Sequence, residues 1–216
     1  MINNLETANI EIVPIVLSAG DSSRMGFPKA LLPLGARTFL TQILGVLNGF
    51  CLADPVIVLG NHAVEIQSAL GNLPGRVVIN KNPEQGQLSS IKLALNQLGA
   101  APQACLIWPV DHPAVSVKVV DGLIRLFLQT HAPLVLPTYG GKRGHPVIFD
   151  RSLFPEFQAA RLEEGPKNII LSRLHECALL STAESAVVED VDTPEDYLKL
   201  TGISLESALA GRGRLT

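Results

Sequence analysis

The chain has 216 residues, of which 47% are hydrophobic and 17% charged, and its formal net charge at pH 7 is −3. This length and apolar content suffice for one sizeable hydrophobic core, and the slight negative charge without a Lys/Arg cluster argues against a nucleic-acid-binding surface. The three cysteines lie far apart, which argues against a disulfide framework or a zinc site and is typical of a reducing compartment.

Residues 1–9 are polar and lack the basic segment that opens a signal peptide. The apolar run that follows, residues 10–18, is interrupted by Glu11 and Pro14 and is too short to span a bilayer. We therefore expect a cytoplasmic protein that binds no membrane, with a frayed segment over residues 1–9.

The spacing of apolar residues predicts strands and helices in regular alternation. In chain order they are a strand at Ile12–Ser18, a helix at 38–50, a strand at 55–59, a helix at 62–70, a strand at Arg76–Ile79, a helix at 88–98, a strand at 104–108, a helix at Val117–Thr130, strands at 134–137 and 146–149, a helical stretch at 151–175 broken at Gly165 and Pro166, a strand at 186–191 and a helix at 194–200. The tail, residues 202–216, is small and polar and is expected to have little regular structure.

This alternation with short connections predicts a mostly parallel sheet covered by helices on both faces. No repeat or linker divides the chain, so residues 10–201 are expected to form one domain. In open sheets of this kind, ligands lie beyond the carboxyl ends of the strands. The segments that follow the first, third and fourth strands, residues 17–33, 80–90 and Asp111, should therefore line one crevice.

Residues 17–33, LSAGDSSRMGFPKALLP, follow the first strand and are called the signature loop below. Glycines permit a close approach of the backbone, hydroxyls donate hydrogen bonds to phosphate oxygens, and arginine and lysine carry charge at neutral pH. Such a loop can wrap its N–H groups around an anion. The residues of this kind are Gly20, Gly26, Ser22, Ser23, Arg24 and Lys29.

The spacing within the signature loop does not fit two better-known phosphate-binding motifs. Five residues separate Gly20 from Gly26, and Lys29 comes three positions after the second glycine, so the loop is not a P-loop. The G-x-G-x-x-G fingerprint of dinucleotide-binding proteins is also absent here. An ordinary strand-to-helix turn with solvated cations remains the alternative for each residue taken singly.

Two stretches place carboxylates at predicted element ends. Asp111 follows the fourth strand, and one carboxylate there suits Mg²⁺, which takes its other ligands from substrate phosphates and water. The alternative is an Asx turn before Pro113. Asp192 lies in the acidic stretch 189–196, where Asp192 or Thr193 could instead cap the helix that follows, with the two acids at 195 and 196 at its positive end.

The signature loop resembles L-x-[AG]-G-x-[SG]-x-R-M-G-x-P-K-x-L-L-P, the pattern of nucleotidyltransferases related to the molybdenum cofactor cytidylyltransferases and guanylyltransferases, and it meets every fixed position. The motif P-x-D-x-P around Asp111 and the motif D-x-D-T-P-E-D-Y ending at Tyr197 extend the resemblance over most of the chain. The resemblance implies a single-domain, Rossmann-like (GT-A-type) three-layer α/β/α fold with a mostly parallel mixed sheet.

The resemblance also implies roles for residues at matching positions. Arg24, Lys29 and Asp111 would be catalytic, and Asp111 and Asp192 would hold the metal, Mg²⁺ or Mn²⁺, with Asp190 a weaker candidate. His145, in a G-H-P-V segment, would contact the acceptor; a packed turn residue is the alternative. The nucleotide would be bound by Leu17, Ala19, Gly20, Ser22, Ser23, Arg24, Gly26, Lys29, Asn80, Gly86 and Ser90.

The implied reaction joins an NTP to a phosphorylated acceptor and releases pyrophosphate. Ala19 favours CTP, because the cytidylyl branch carries Ala-Gly where the guanylyl branch carries Gly-Gly. The leading acceptor is a molybdopterin-type cofactor, destined for a molybdoenzyme partner. The chain departs from the cytidylyltransferases at 163–168, EEGPKN instead of G-D-x-G-A-R, which leaves the acceptor open. The alternatives are a sugar- or polyol-phosphate nucleotidyltransferase and a non-catalytic carrier of the molybdenum cofactor.

Overall fold

The structure, a computed structural model, describes residues 10–212, with side chains described up to residue 210. The expectation for residues 1–9 lies outside the described residues. The elements are, in chain order, β1 (Ile12–Ser18), β2 (Pro33–Leu34), β3 (Arg37–Thr38), α1 (Phe39–Leu47), β4 (Val56–Leu59), α2 (Ala63–Leu70), β5 (Arg76–Ile79), α3 (Gln87–Leu95), β6 (Ala104–Pro109), α4 (Val117–Thr130), β7 (Leu134–Tyr139), β8 (Lys142–Arg143), β9 (Val147–Asp150), α5 (Phe154–Ala159), α6 (Gly165–Ser172), β10 (Cys177–Ser181), α7 (Pro194–Thr201) and α8 (Leu205–Arg212).

One twisted sheet organises the molecule, with the strand order β10-β7-β9-β6-β1-β4-β5 and β8 paired to the end of β7. β1 is an inner strand and pairs in parallel with both neighbours, from Ile12 opposite Ala104 on one side and from Ile15 opposite Val56 on the other. β9 runs antiparallel to both β6 and β7. The prediction of a mostly parallel mixed sheet is therefore confirmed.

Helices cover both faces of this sheet. Successive side chains of β1 point to opposite faces, so Val16 packs in one core cluster while Ile15 and Leu17 pack in the other. The first cluster includes the apolar faces of α1, α2, α4 and α7, and the second those of α3, α5 and α6. Two buried interfaces around one sheet make the predicted three-layer domain.

The longest described helix, α4, shows why the sequence predicts these elements so well. The Ser116 side chain accepts a hydrogen bond of 3.2 Å from the Lys118 N–H and begins the helix, and Val120, Leu123 and Phe127 lie buried along one stripe. Burying each such side chain contributes about 1.5–3 kcal/mol. None of the described helices is long and apolar enough to cross a membrane.

The predicted strand at 186–191 is wrong, and the last strand is β10, which pairs in parallel with β7 at the sheet edge. Val187 and Val191 are buried, which explains the strand-like pattern of this segment. Its backbone, however, bonds to loops: the His145 N–H donates to the Val187 carbonyl at 2.8 Å, and the Val191 N–H donates to the Asp111 carbonyl at 2.9 Å. The segment thus runs past the sheet, beside the residues that follow β6.

Two helical regions also differ from the expectation. The stretch 151–175 contains two short helices, and Gly165 and Pro166 begin α6, because proline fits the first turn of a helix. The break thus precedes Gly165. The tail contains α8 where little structure was expected, and Leu205 and Ala208 pack against the core.

Candidate active site

A crevice of about 370 Å³ opens at the carboxyl ends of β1, β4 and β6. Its walls come from the signature loop, the start of α2, the region around the start of α3, the residues after β6, and the residue two positions before α7. The three segments expected to converge do so. The lining residues are Leu17, Ser18, Ala19, Gly20, Asp21, Ser22, Ser23, Arg24, Pro28, Lys29, Ala30, His62, Ile66, Pro83, Gly86, Gln87, Ser90, Pro109, Val110, Asp111 and Asp192.

The signature loop is held in shape by its own backbone at Ser22. This residue has a left-handed φ of 52°, and its carbonyl accepts hydrogen bonds from the N–H groups of Met25 at 3.0 Å and Gly26 at 2.9 Å. The Ser22 hydroxyl oxygen also accepts a bond of 3.2 Å from the Lys29 N–H. Its own hydrogen remains available to donate into the crevice.

Glycines place the backbone of the signature loop. A Cβ added to Gly20 would meet nothing within 4 Å, so this backbone faces open space in the crevice. A Cβ added to Gly60, just after β4, would overlap the Ala19 carbonyl oxygen. Gly60 is therefore needed for the close contact between the two strand ends, a role that the sequence analysis missed because the contact is not local.

Four charged side chains, Arg24, Lys29, Asp111 and Asp192, meet at the crevice and are called the charge quartet below. The Arg24 Nη2 lies 2.6 Å from the Asp192 Oδ2, and the Lys29 ammonium donates to the other oxygen of the same carboxylate. The Lys29 Nζ also lies 3.5 Å from the Asp111 Oδ2. The side chain of Lys29 is only 12% exposed, whereas that of Arg24 is 69% exposed. With two cations and two carboxylates, the quartet is formally neutral.

The two cations of the charge quartet lower the pKa of the Asp192 carboxyl group. Partial burial would raise its pKa, but the hydrogen bond and charge of Lys29, followed by those of Arg24, outweigh this and hold the pKa below its ordinary value. At neutral pH, Asp192 therefore presents a full negative charge to the crevice.

Asp192 reaches the crevice because its neighbour caps the helix. The Thr193 side chain accepts a bond from the Asp196 N–H at 3.2 Å and begins α7, and the Asp196 Oδ2 accepts bonds from the N–H groups of Thr193 at 2.9 Å and Asp192 at 3.1 Å. The Tyr197 hydroxyl donates to the Pro33 carbonyl at 2.8 Å and ties α7 to the end of the signature loop. Of the two predicted caps, Thr193 is the one used, and the Asp192 carboxylate is left free for other partners.

Asp111 has an oxygen that suits a hard cation. Its Oδ1 is buried and has no hydrogen-bond partner within the part of the chain that the structure describes, and the His112 Nε2 lies 3.8 Å away. No cluster of three or more metal-ligating side chains occurs among the described residues, so the protein itself offers two carboxylates here. Mg²⁺ is commonly held by one or two carboxylates, with phosphates and water completing its shell. Asp111 and Asp192 fit that requirement, whereas the exposed Asp190 does not line the crevice.

The first turn of α3 and the residue before it bring Ser90 and Gly86 to the crevice, but Asn80 does not line it. The buried Asn80 side chain donates to the hydroxyls of Ser89 at 2.8 Å and Ser90 at 2.9 Å, and its Oδ1 accepts from the Asn82 N–H at 2.9 Å. Asn80 thus organises this wall from behind. Gly26 also lies outside the lining, although its N–H helps to close the signature loop.

His145 also lies outside the lining. Its ring is 5.0 Å from that of His112, and its buried Nδ1 has no hydrogen-bond partner among the described residues. Burial, and then the neighbouring His112, lower the pKa of His145 to about 3, so the ring is neutral. Contact between His145 and an acceptor stays a prediction.

The residues after β4 were missed by the sequence analysis. The Asn61 Nδ2 donates to the Asp21 Oδ1 at 2.8 Å, and the His62 Nε2 lies 3.2 Å from the Asp21 carbonyl oxygen. Both contacts connect the signature loop to the start of α2. Ligands in open parallel sheets lie beyond the carboxyl ends of the strands, and this rule predicted the segments after β1, β5 and β6. The position of Asn61 and His62 directly after β4 was therefore an available signal.

The sequence matches the family described as MobA-like NTP transferase domain over residues 14–177. A probable molybdenum cofactor guanylyltransferase of Mycobacterium avium is 32% identical over 61% of this chain and 66% of that relative, just under two thirds of its length. A nicotine blue oxidoreductase of Paenarthrobacter nicotinovorans is 29% identical over 88% of this chain and 96% of that relative. The molybdenum cofactor cytidylyltransferase of Escherichia coli K12 is 26% identical over 85% of this chain and 92% of that relative.

Solved structures agree with the fold. The crystal structure of Rv0371c from Mycobacterium tuberculosis H37Rv is 27% identical and superposes with a TM-score of 0.81, covering 90% of this chain and 98% of that one. A structure of the same protein in complex with manganese is 26% identical and has a TM-score of 0.76, with coverages of 89% and 98%. Together with the strand order, these likenesses confirm the predicted Rossmann-like, GT-A-type fold class.

Proposed function

The chain belongs to the MobA-like NTP transferase family, and from this premise we propose that it transfers the nucleoside monophosphate of CTP to a phosphorylated acceptor of the molybdopterin type. A phosphate oxygen of the acceptor attacks the α-phosphorus of the nucleotide. The bond from that phosphorus to the bridging oxygen breaks, and pyrophosphate leaves with its electron pair. The acceptor is already an anion, so no general base of the protein is required.

The charge quartet beside the open backbone of Gly20 is the observation that carries this proposal. Phosphoryl-type transfer asks the protein mainly to position the reactants and to stabilise charge. Arg24 and Lys29 would bind the triphosphate and stabilise charge on the leaving pyrophosphate, with the N–H groups of the signature loop around it. Asp111, at the end of β6, would lie on the side of the α-phosphate.

Asp111 and Asp192 would hold a divalent metal ion, with Mg²⁺ the first choice. When bound, such an ion neutralises phosphate charge and orients the oxygens of attacking and leaving groups. The buried Oδ1 of Asp111, which has no hydrogen-bond partner among the described residues, supports this assignment. The manganese complex of the mycobacterial protein supports a divalent ion for a relative of the same fold.

The choice of CTP depends on Ala19 and on the α3 wall. Ala19 lines the crevice and is only 5% exposed, and its backbone is fixed against Gly60. One methyl group at such a place changes discrimination by about 1–3 kcal/mol, so polar contacts with Ser90 must contribute as well. Relatives named for guanylyl and for cytidylyl transfer both match the chain, which makes this choice the part most in need of a test.

A second candidate function is oxidoreductase chemistry in the same crevice. The relative named nicotine blue oxidoreductase matches over 96% of its own length, more than the mycobacterial guanylyltransferase at 66%. The charge quartet favours phosphate chemistry, since an oxidoreductase need not stabilise a leaving pyrophosphate. The remaining alternatives are a nucleotidyltransferase that acts on a sugar or polyol phosphate, and a non-catalytic carrier of the molybdenum cofactor.

The test is pyrophosphate release from each of the four NTPs, with Mg²⁺ and with or without molybdopterin. We expect release that requires both acceptor and metal and is fastest with CTP, and we expect Ala19→Gly to narrow the gap between CTP and GTP. Faster release with GTP in the unmodified protein would remove the cytidylyl assignment. In a separate assay with an added hydride donor, reduction of nicotine blue at the expense of that donor, in a protein that releases no pyrophosphate, would favour the second candidate.

A further inference from the structure

We propose that Asp192 is a placeholder for phosphate: in the nucleotide-free protein its carboxylate holds Arg24 and Lys29, and an incoming triphosphate displaces it from both cations. The proposal rests on the proposed function, since it concerns the same phosphate-binding cations. It adds a step before nucleotidyl transfer, in which Arg24 and Lys29 exchange the Asp192 carboxylate for the triphosphate.

The geometry of Asp192 is that of a bound oxyanion. One of its oxygens lies 2.6 Å from the Arg24 Nη2, and the other accepts from the Lys29 ammonium. A phosphate would present two oxygens to the same two cations in the same way. Asp111 does not share this role, because its Oδ2 is 3.5 Å from the Lys29 Nζ and no ion pair between Asp111 and Arg24 occurs in the described chain.

The placeholder keeps the exposed Arg24 side chain in one position. The Arg24 side chain is 69% exposed, and such a long side chain without a partner would sample many rotamers. Asp192 is itself anchored through its backbone N–H, which donates to the Asp196 Oδ2 at 3.1 Å. The anchored backbone sets where the carboxylate can reach, while rotation of the side chain lets it leave the cations.

This exchange predicts that removing the charge of Asp192 changes triphosphate binding in opposite directions with and without metal. The charge quartet is formally neutral, so without metal a triphosphate must compete with the Asp192 carboxylate for Lys29 and Arg24. Removing that charge leaves one net positive charge and strengthens binding. With metal present, the displaced carboxylate becomes a metal ligand, so removing its charge weakens binding of the metal–nucleotide complex.

The experiment measures the affinity for CTP and for inorganic triphosphate by calorimetry, in EDTA and in Mg²⁺. In EDTA, Asp192→Asn should bind both anions about two- to fivefold more tightly than the unmodified protein, the scale of a partly exposed ion pair, and this gain should shrink at high salt. In Mg²⁺, the same variant should bind CTP more weakly. Glu195→Gln, which removes a charge from an exposed residue three positions away, should change neither affinity.

Each outcome decides the question. Equal or weaker binding of inorganic triphosphate by Asp192→Asn in EDTA overturns the placeholder, and so does an equal gain in Glu195→Gln. If Lys29→Ala in the Asp192→Asn background keeps the gain, Lys29 is not the cation released, and the proposal also fails. The expected gain in EDTA, together with no release of pyrophosphate from any of the four NTPs in the acceptor assay, would overturn the proposed function while leaving the placeholder supported.

Discussion

The two cations of the charge quartet lie on a loop of the sheet, whereas Asp192, the carboxylate that binds both of them, lies on a segment outside the sheet. Arg24 and Lys29 lie on a loop that begins at the inner strand β1 and closes on itself through the Ser22 carbonyl. Asp192 lies on a segment outside the sheet, positioned by contacts with residues far away in the chain, such as the Val191 N–H bond to the Asp111 carbonyl. Local contacts therefore shape the loop that carries the two cations, whereas the position of Asp192 also depends on contacts between distant parts of the chain.

This difference predicts how the two regions fail. Changes in the charge of the quartet should affect catalysis and leave the fold intact. Changes in the contacts that connect the two regions should mainly lower the free energy of unfolding. Activity should then fall because the site is less well held.

The largest effect is expected at Asp111. Asp111→Asn keeps the size of the side chain and removes its charge, and kcat should fall by at least about 100-fold, the scale of losing one strong electrostatic contact. Steady-state kinetics with thermal unfolding as a control measure this. Turnover close to that of the unmodified protein would contradict the assignment of Asp111 as a metal ligand.

Lys29 tests the phosphate-binding side. Lys29→Ala should weaken NTP binding and lower kcat/KM by about 10- to 100-fold, because the least exposed cation of the quartet is lost. Lys29→Arg should restore only part of the activity, since a planar fork does not replace a compact charge in this space. The signature loop would be a simple turn if Lys29→Ala changed neither NTP affinity nor rate.

Gly60 permits a close contact between the ends of β1 and β4, which border the crevice. A Cβ there would overlap the Ala19 carbonyl oxygen, so Gly60→Ala should lower the free energy of unfolding by about 1–3 kcal/mol and weaken NTP binding. Gly99→Ala is the matched control, because an added Cβ there meets nothing within 4 Å. Denaturant unfolding of both variants measures the difference, and equal stabilities would show that the loop does not depend on Gly60.

The smallest effect is expected at the cap of α7. Thr193→Ala should lower the free energy of unfolding by about 1 kcal/mol, with a modest loss of activity as Asp192 becomes less well positioned. The Thr193 hydroxyl, aided by two backbone N–H groups, holds the pKa of Asp196 below its ordinary value. The ionised Asp196 carboxylate therefore stabilises the folded protein at pH values above the pKa of an unfolded aspartate, about 3.9. This stabilisation is lost as the pH falls through the lower pKa that Asp196 has in the folded protein.

A pH series of unfolding curves measures this cap contribution. The difference between Thr193→Ala and the unmodified protein should therefore narrow below about pH 4. A difference that stays constant from neutral to acidic pH would show that the Asp196 carboxylate takes no part in the cap.

The sequence predicted the inner strands and the placement of the signature loop and Asp111 at their carboxyl ends, because each depends on residues close together in the chain. It failed for 186–191, where four of the six residues are apolar and Val187 and Val191 are buried, yet the sheet edge is taken by β10. An apolar pattern indicates which residues are buried and not what their backbone bonds to. The role of Gly60 escaped for a similar reason, since a contact between two strand ends leaves no local pattern.

The central claim is transfer of the α-phosphorus, and isotopic labelling tests it most directly. The protein is incubated with Mg²⁺, molybdopterin and CTP that carries radioactive phosphorus at either the α- or the γ-position. We expect the α-label to appear in the acceptor and the γ-label in pyrophosphate, in equal amounts and at rates that fall together in Asp111→Asn. A γ-label released as inorganic phosphate, or an α-label that stays in the nucleotide, would contradict nucleotidyl transfer.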